Sequence, residues 1–427
     1  MFNGYNFGEQ AVLVHICFSQ NKHVEDLQEF KNLAISADLK ILQLITGKCN
    51  IPNPKYLVGK GKAAEITDAV KTNKASVILF NHVLNPSQER NLEKLCGCPV
   101  IDRTKLILHI FSQRARTHEG QLQVELAQLR YLATRLVRGW THLERQKGGV
   151  NLRGPGETQL EIDRRLLRIR INYISSRLKQ VEKQREQSRH IRAKANVPTI
   201  GLVGYTNSGK SSIFNAITHS NVYTADRLFA TLDPTLRRLK ITDVGEVVLA
   251  DTVGFIRHLP HDLIMAFKAT LQETCQAILL LHVIDAVNPY FMDNIAVVNQ
   301  VLTNIKASKI PTLLIMNKID MLKDCNPRIE RNATNQQPIR VWLSAKTGIG
   351  LPLLWQALYE LLLGKIVQYN LRLPPSCGRL RSYLYKLEAI KKEYYESDGS
   401  IFLQIQMSII DWQRLCKQEL LLINYII

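Results

Sequence analysis

One eight-residue stretch, GYTNSGKS, constrains the fold of this chain more than any other. It contains Gly204, Tyr205, Thr206, Asn207, Ser208, Gly209, Lys210 and Ser211. The apolar run at 199–203 predicts a buried strand before it, and residues 212–217 predict a helix after it, which is the context of a P-loop. Backbone N–H groups of such a loop face a phosphate chain, Lys210 would reach the β- and γ-phosphates, and the Ser211 hydroxyl would bind Mg²⁺. The alternative is a Gly-rich turn with a fortuitous Gly-Lys-Ser.

Length and charge limit the classes of protein to which the chain can belong. With 427 residues it should form several domains, and a net charge of +19 favours nucleic acid as partner, ahead of an anionic membrane surface. The longest apolar run, 277–284, is too short to span a bilayer. No signal peptide is recognisable, and the 8 cysteines are scattered, as in reduced intracellular proteins. We expect a cytoplasmic monomer without stable membrane insertion, with peripheral contact at a membrane surface left open.

Residues 1–112 alternate between apolar runs and amphipathic segments, which predicts a parallel α/β domain. Strands are expected at 12–18, 40–45, 76–80 and 99–101, and helices at 24–36, 62–72 and 85–95. The loop Gly59-Lys60-Gly61-Lys62 precedes the second helix. It leaves three interpretations open: a tight turn with exposed lysines, a contact with phosphate or RNA backbone, or a second nucleotide site.

Residues 113–196 carry two apolar heptad seams, so we expect an antiparallel helical hairpin. The seams contain Leu122, Leu126, Leu129, Ala133, Leu136, Trp140 and Leu143, and then Leu167, Ile171, Ile174, Leu178 and Val181. A Gly-rich tip at 148–156 separates them. Residues 103–194 hold 21 Lys and Arg against 8 Asp and Glu, which favours a large folded RNA as partner, recognised by shape and phosphates. A solvated coiled coil and an acidic partner protein are the alternatives.

The other motifs of a GTPase follow the P-loop in order, so residues 197–365 are expected to form an α/β G domain. A switch I loop holds Phe229, Ala230, Thr231, Leu232 and Asp233, and a later strand ends in Asp251, Thr252, Val253 and Gly254. The first base-recognition loop holds Asn317, Lys318, Ile319 and Asp320. The second holds Ser344, Ala345 and Lys346. We expect all of these residues to lie against the nucleotide. Four such motifs, each at the carboxyl end of a strand, form one site.

The residue types in these motifs indicate metal-assisted phosphoryl transfer. Thr231, or its rival Thr235, would complete the Mg²⁺ ligands with Ser211, and Asp251 would hold the ion through water. The Gly254 N–H would bond the γ-phosphate and release it on hydrolysis. The predicted catalytic residues are therefore Lys210, Thr231 and Gly254.

Two further residues indicate which nucleotide is bound and how fast it is hydrolysed. The Asp320 carboxylate can accept from guanine N1–H and the 2-amino group, and adenine offers neither donor on that edge, so the substrate is expected to be GTP. Phe255 stands after the Asp-x-x-Gly motif, where many regulatory GTPases carry a glutamine that orients the attacking water. Because phenylalanine cannot hydrogen-bond water, we expect slow intrinsic hydrolysis and a partner that supplies the missing group.

Residues 366–427 predict a small α+β domain after a linker at Leu373-Pro374-Pro375. Strands are expected at 383–395 and 401–407, with a helix after Asp411. The residues of this domain indicate no chemistry, and a docking role toward a protein or RNA partner is left open.

With these residues in view, the chain resembles the HflX family of translational GTPases. The resemblance rests most on residues 153–165, 228–235 and 251–257, the last with a hydrophobic residue in place of glutamine. It implies a Mg²⁺-dependent GTPase that binds the large ribosomal subunit and splits stalled or idle ribosomes under stress. It further implies hydrolysis stimulated by ribosomal particles, a hairpin tip near the peptidyl-transferase region, and ATP-linked helicase-like activity, for which the N-terminal region shows no motif. The alternatives are a large-subunit assembly GTPase and an RNA-remodelling protein with a regulatory GTP site.

Overall fold

The computed structural model of the protein describes most of the chain. It describes residues 10–18, 24–139, 155–194, 197–219, 227–241, 245–257, 274–334, 336–363, 366–387, 389–396 and 399–408, with 412, 415–416 and 422–426. The hairpin tip expected at 148–156 falls largely outside these residues, as do the seam residues Trp140 and Leu143. Within the described ranges, no helix combines the length and the apolar character that crossing a membrane requires.

The N-terminal domain is the parallel α/β unit that the sequence predicts. Its elements are β1 (Gln10–Phe18), α1 (Val24–Ser36), β2 (Lys40–Cys49), α2 (Lys60–Asn73), β3 (Val77–Phe80), α3 (Pro86–Cys96) and β4 (Val100–Ile101). The strands pair in the order β2-β1-β3-β4, all parallel. Leu13 faces one apolar cluster and Val12 faces another, because helices cover both sides of the sheet. Gly59 is the N-cap of α2, so Lys60, Gly61 and Lys62 form the first turn of that helix and not a separate tight turn, and Lys62 donates to the Thr46 carbonyl at 3.0 Å.

Three helices follow, and the second and third form the expected antiparallel hairpin. They are α4 (Arg103–Arg114), α5 (His118–Gly139) and α6 (Pro155–Lys194). Leu126 and Leu129 of α5 pack with Ile174 of α6, so the two heptad seams meet. The ion pairs Arg170–Glu125 and Arg185–Glu119 run in opposite chain directions, as antiparallel helices require.

The G domain is built on a seven-stranded sheet. Its elements are β5 (Thr199–Gly204), α7 (Lys210–Thr218), β6 (Thr235–Ile241), β7 (Gly245–Asp251), β8 (Leu279–Asp285), α8 (Phe291–Asn304), β9 (Thr312–Asn317), β10 (Arg328–Arg331), β11 (Pro338–Trp342) and α9 (Leu351–Leu363). The strand order is β10-β11-β9-β8-β5-β7-β6, with the five central strands parallel and the two edge strands antiparallel. The carboxyl ends of the parallel strands therefore meet at one edge, where ligands bind in such sheets.

The small C-terminal domain corrects two expectations from the sequence. Its elements are β12 (Ile366–Leu373), α10 (Gly378–Lys386), β13 (Ile390–Tyr395) and β14 (Ile401–Ser408), with the strands in the antiparallel order β12-β14-β13. The strand expected at 383–395 is wrong in its first part, because Leu380 and Leu384, four residues apart, are buried on one face of a helix. The strand at 366–373 was not expected, although its alternating pattern buries Leu371 and Leu373. The helix expected after Asp411 lies largely outside the described residues.

The N-terminal domain packs directly against the G domain through a shared apolar core. Phe30 and Phe111 of the N-terminal part lie in one cluster with Leu228 and Phe229, which precede β6, and with Val253, which follows β7. Both chain segments that flank the expected phosphate site are thus covered by the N-terminal domain.

Candidate nucleotide-binding site

The predicted P-loop lies between β5 and α7 in the conformation that phosphate binding needs. Gly209 has a φ of +90°, and a Cβ there would lie 2.2 Å from Nδ2 of Asn317, so only glycine fits. Asn207 is also left-handed, with a φ of 59°, which asparagine tolerates. Lys210 begins α7 and donates from Nζ to the Tyr205 carbonyl at 2.7 Å. A cavity over the loop is lined by Lys210, Ser211, Ala230, Thr231, Thr252 and Gly254, among others.

Three predicted metal-binding side chains converge beside the P-loop. The hydroxyls of Ser211 and Thr231 lie 2.7 Å apart, and they approach Oδ2 of Asp251 at 2.7 and 3.3 Å. Thr235, the rival of Thr231, begins β6 and pairs with Asp251 in the sheet. Asp251 is fully buried, and its Oδ1 has no hydrogen-bond partner. Two hydroxyls and a carboxylate with an unused oxygen are the hard ligands that Mg²⁺ prefers, so this donor set fits the ion.

Burial shifts the pKa of three titratable groups near the P-loop: Lys210, Asp251 and His282. It lowers the pKa of Lys210 to about 8, against the opposing charge of Asp251. It raises the pKa of Asp251, while hydrogen bonds from Ser211 and the charge of Lys210 oppose the rise. It also lowers the pKa of His282 to about 4, helped by Lys210, so that imidazole is neutral at pH 7. Phosphate charge brought to this cavity would stabilise the protonated form of Lys210.

Gly254 occupies a position that no larger residue fits. A Cβ on Gly254 would lie 2.9 Å from Nζ of Lys210 and 2.8 Å from Cγ2 of Thr206. The backbone at Gly254 therefore approaches the P-loop lysine closely, as contact with a terminal phosphate would require. Thr252, two residues earlier, donates to the Leu202 carbonyl at 2.5 Å and fixes the end of β7 against β5.

The base-recognition residues lie together at the ends of β9 and β11. Asn317 donates to the Ser208 carbonyl at 2.9 Å and accepts from the Ala345 N–H at 3.0 Å, so it joins the P-loop to the loop after β11. Ser344 donates to Asp320 at 2.6 Å, which orients that carboxylate.

The other three residues of these loops are placed differently. Lys318 forms an ion pair with Asp285 at 2.8 Å, a partner that the sequence motifs did not indicate. Ile319 is buried in the protein, and Lys346 is exposed.

The structure does not bring every predicted switch I side chain to the cavity. Phe229 lines the cavity and also packs edge-to-face on Phe111, with ring centroids 4.7 Å apart, whereas Leu232 is buried in the interdomain core. The Asp233 carboxylate accepts from the N–H groups of Arg116 and Thr117, both at 2.9 Å. Leu232 and Asp233 face away from the cavity because the N-terminal domain supplies the apolar partners of Leu232 and the segment before α5 supplies the N–H partners of Asp233. Val253, after β7, is buried in the same core.

Phe255 takes a position that explains why it cannot act on water. Its backbone bonds to the P-loop, with its N–H donating to Gly204 at 3.1 Å and its carbonyl accepting from Thr206 at 2.8 Å. Its ring is 3% exposed and packs with Val203 and Leu280 in the G-domain core. The side chain therefore points away from the phosphate cavity.

A buried polar network joins the N-terminal domain to the P-loop, and the sequence motifs gave no sign of it. Glu29 of α1 accepts from Arg103 of α4 and from the Tyr205 hydroxyl. The same hydroxyl accepts from the Arg257 N–H at 3.0 Å, and Arg103 also donates to the Arg257 carbonyl at 2.9 Å. One signal was present: an acidic residue and an arginine in otherwise apolar positions of α1 and α4.

Comparisons of sequence and structure show which known proteins are similar to this chain. The family models described as GTP-binding GTPase N-terminal, GTP-binding GTPase Middle Region and 50S ribosome-binding GTPase match residues 24–112, 114–192 and 199–318. The GTPase HflX of Escherichia coli is 68% identical over 427 residues, which cover 100% of each chain. The GTPase HflX of Caldanaerobacter subterraneus is 42% identical over 391 residues, covering 92% of this chain and 89% of that one. A solved GTP-binding protein from Sulfolobus solfataricus, in complex with GDP, is 24% identical with a TM-score of 0.44, covering 83% and 99%.

Proposed function

Since the chain belongs to the HflX family and hydrolyses GTP, we propose that it is a Mg²⁺-dependent GTPase that binds the large ribosomal subunit and splits stalled or idle ribosomes. Ribosomal particles would stimulate its GTP hydrolysis. The proposal places the protein in the cytoplasm as a monomer, with an N-terminal domain at 1–112, a hairpin at 113–196, a G domain at 197–365 and a small domain at 366–427. The family model described as 50S ribosome-binding GTPase supports the choice of partner.

In this proposal the nucleotide lies along the carboxyl edge of the central sheet. The P-loop N–H groups and Lys210 hold the phosphates, and Lys210 stays protonated once phosphate charge is beside it. Asp320, oriented by Ser344, accepts from guanine. Ser211, Thr231 and Asp251 would hold Mg²⁺, which neutralises charge on the phosphate oxygens when it is bound.

The position of Phe255 supports a partner-dependent hydrolysis step. Its ring lies in the core, so it neither orients a water molecule nor enters the phosphate cavity. Positioning of the attacking water contributes strongly to GTPase rates, and some GTPases receive a catalytic group in trans. We propose that the bound ribosomal particle completes the site in this way.

The observation that carries the ribosomal proposal is the basic helical hairpin. Along α6, Arg165, Arg168 and Arg170 are exposed, although Arg170 also pairs with Glu125. A pair of helices with this charge suits insertion into folded RNA, with affinity from phosphate contacts. An exposed coiled coil without a partner would not need such an excess of positive over negative side chains.

The decisive experiment measures GTP turnover with and without purified large subunits at low salt. We expect stimulation, and unchanged turnover would refute the ribosome-activated model. Neutralising Arg164 and Arg165 to glutamine should weaken particle binding and reduce its salt slope, whereas the matched pair Arg237 and Arg238 on the edge strand β6 should leave the slope unchanged. An unaltered slope in the first pair would argue against phosphate contacts there.

Two measurements separate this proposal from its alternatives. Sedimentation of mature ribosomes incubated with the protein and GTP should show separated subunits. An assembly GTPase would instead bind precursor particles and leave mature ribosomes intact. Lys210→Ala should abolish splitting, and RNA remodelling that survives this substitution would favour a protein in which GTP is only regulatory.

A further inference from the structure

Asp233 lies in switch I, but its carboxylate binds the start of the hairpin. Oδ2 accepts from the N–H groups of Arg116 and Thr117, both at 2.9 Å, and Oδ1 accepts from the Thr117 hydroxyl at 2.5 Å. Arg116 and Thr117 form the short connection between α4 and α5. Three hydrogen bonds on one half-buried carboxylate make this a specific contact between residues 116 positions apart.

The contact is built into the first turn of α5. Thr117 also accepts from the Gly120 N–H at 3.0 Å, so its hydroxyl caps the helix while donating to Asp233. The negative charge of Asp233 lies at the positive end of a helix of 22 residues. Gly120 leaves the space that this arrangement needs, because a Cβ there would lie 2.3 Å from Oδ1 of Asp233.

The same short segment positions Thr231. Only one residue separates Thr231 from Asp233, and two residues of chain span at most about 7 Å, so a shift of Asp233 is transmitted to Thr231. The segment is also held upstream, where the Leu228 N–H donates to the Ser36 hydroxyl at 2.9 Å. Between these two anchors the Thr231 hydroxyl lies 2.7 Å from Ser211.

We propose that Asp233 is a positioning residue for GTP hydrolysis, which holds Thr231 at Ser211 by binding Arg116 and Thr117 at the start of α5, the first helix of the hairpin. This contact also links the hairpin to the nucleotide site. Movement of α5 when the hairpin binds a partner changes the position of Thr231, and binding of GTP in turn favours one position of α5. This inference rests on the proposed role of Thr231.

The test compares Asp233→Ala with wild type in single-turnover hydrolysis of Mg²⁺–GTP, in which kcat is the rate constant of the hydrolysis step. We expect kcat to fall about tenfold, which corresponds to the loss of about 1.4 kcal/mol of charge-assisted hydrogen bonding. GDP affinity should stay within about twofold, because GDP does not require ordered switch I. Thr117→Val should reproduce the fall in kcat, and Thr117→Ser, which keeps the hydroxyl, should restore it. Glu246→Ala removes an exposed carboxylate of β7 and should leave kcat unchanged.

Gly120→Ala provides an independent test that does not remove any hydrogen-bonding group. Alanine is the better helix former, so α5 should not be weakened by the substitution itself. Its methyl group would displace the Asp233 carboxylate, so kcat should fall. When Asp233 is already alanine, adding Gly120→Ala should have no further effect on kcat.

The outcomes distinguish this inference from the proposed function. If Thr231→Ala lowers kcat strongly while Asp233→Ala and Gly120→Ala both leave it at the wild-type value, Asp233 has no positioning role and the inference is overturned. If Thr231→Ala itself has no effect on kcat, the role of Thr231 in the proposed function fails first. A fall in GDP affinity equal to the fall in kcat would show general damage to the G domain and would also count against the inference.

Discussion

The buried hydrogen-bond network around Glu29, which joins the N-terminal domain to the P-loop, should contribute to the free energy of unfolding of the protein. The side chains of Arg103 and Glu29 form an ion pair and are each 5% exposed, and the Tyr205 hydroxyl donates a further hydrogen bond to Glu29. The change Glu29→Gln keeps the shape of the side chain and removes its charge. It leaves the Arg103 guanidinium buried without its carboxylate partner, so the free energy of unfolding should fall.

The structure sets the size of this effect. Removing one partner of a buried ion pair costs about 3–5 kcal/mol. Arg103 keeps two neutral acceptors, Asn81 at 2.7 Å and the Arg257 carbonyl at 2.9 Å, so we expect a loss of about 3 kcal/mol. Tyr205→Phe removes a hydroxyl that both donates and accepts, and it should cost about 1–3 kcal/mol. The two changes share one partner, so their costs should not add.

Equilibrium urea unfolding of the full chain, with linear extrapolation for each variant, measures these differences. The matched control is Glu246→Gln, since Glu246 pairs with Arg238 on the surface, where the side chains are 55% and 69% exposed. Such an exposed pair contributes about 0–1 kcal/mol. A cost for Glu29→Gln no greater than that of the control would show that water reaches the Glu29 carboxylate, and the reasoning from a buried Arg103–Glu29 ion pair would be refuted.

Three further predictions concern the nucleotide site. Burial lowers the pKa of Lys210 to about 8, so nucleotide affinity should fall as pH rises through that value. Calorimetry near that pH should show proton uptake on nucleotide binding. The Lys210→Arg variant should bind nucleotide independently of pH over this range. Asp320→Asn should weaken GTP binding by about 100-fold or more and improve binding of a xanthine nucleotide, and equal GTP affinity in the two proteins would exclude Asp320 from base recognition. Phe255→Gln should lower the free energy of unfolding in urea by about 2–4 kcal/mol, because the side chain lies in the core. It should not accelerate intrinsic GTP hydrolysis, and faster hydrolysis would show that the side chain reaches the phosphate cavity.

Much of the architecture could be predicted because it depends on short-range patterns. The P-loop needs glycines at fixed spacing between a strand and a helix, and a heptad repeat specifies which face of α5 meets α6. Parallel strands bring their carboxyl ends to one edge, so motifs far apart in sequence were expected in one site. At 383–395 the predicted strand was wrong in its first part, because Leu380 and Leu384 are buried on one face of a helix, whereas residues 390–395 do form a strand.

The direction of individual side chains depended on contacts between distant parts of the chain. The sequence alone determined that residues 229–233 form a loop beside a phosphate site, but not that Phe229 would pack on Phe111. Asp233 looked like a nucleotide contact until the fold brought Thr117 to its carboxylate. The sequence determined which local elements form, since helix caps, glycine turns and apolar periodicity act between near neighbours. Only the tertiary structure decided which buried donor meets which acceptor, because partners such as Tyr205 and Glu29, or Arg103 and the Arg257 carbonyl, are more than a hundred residues apart and are selected by packing between domains.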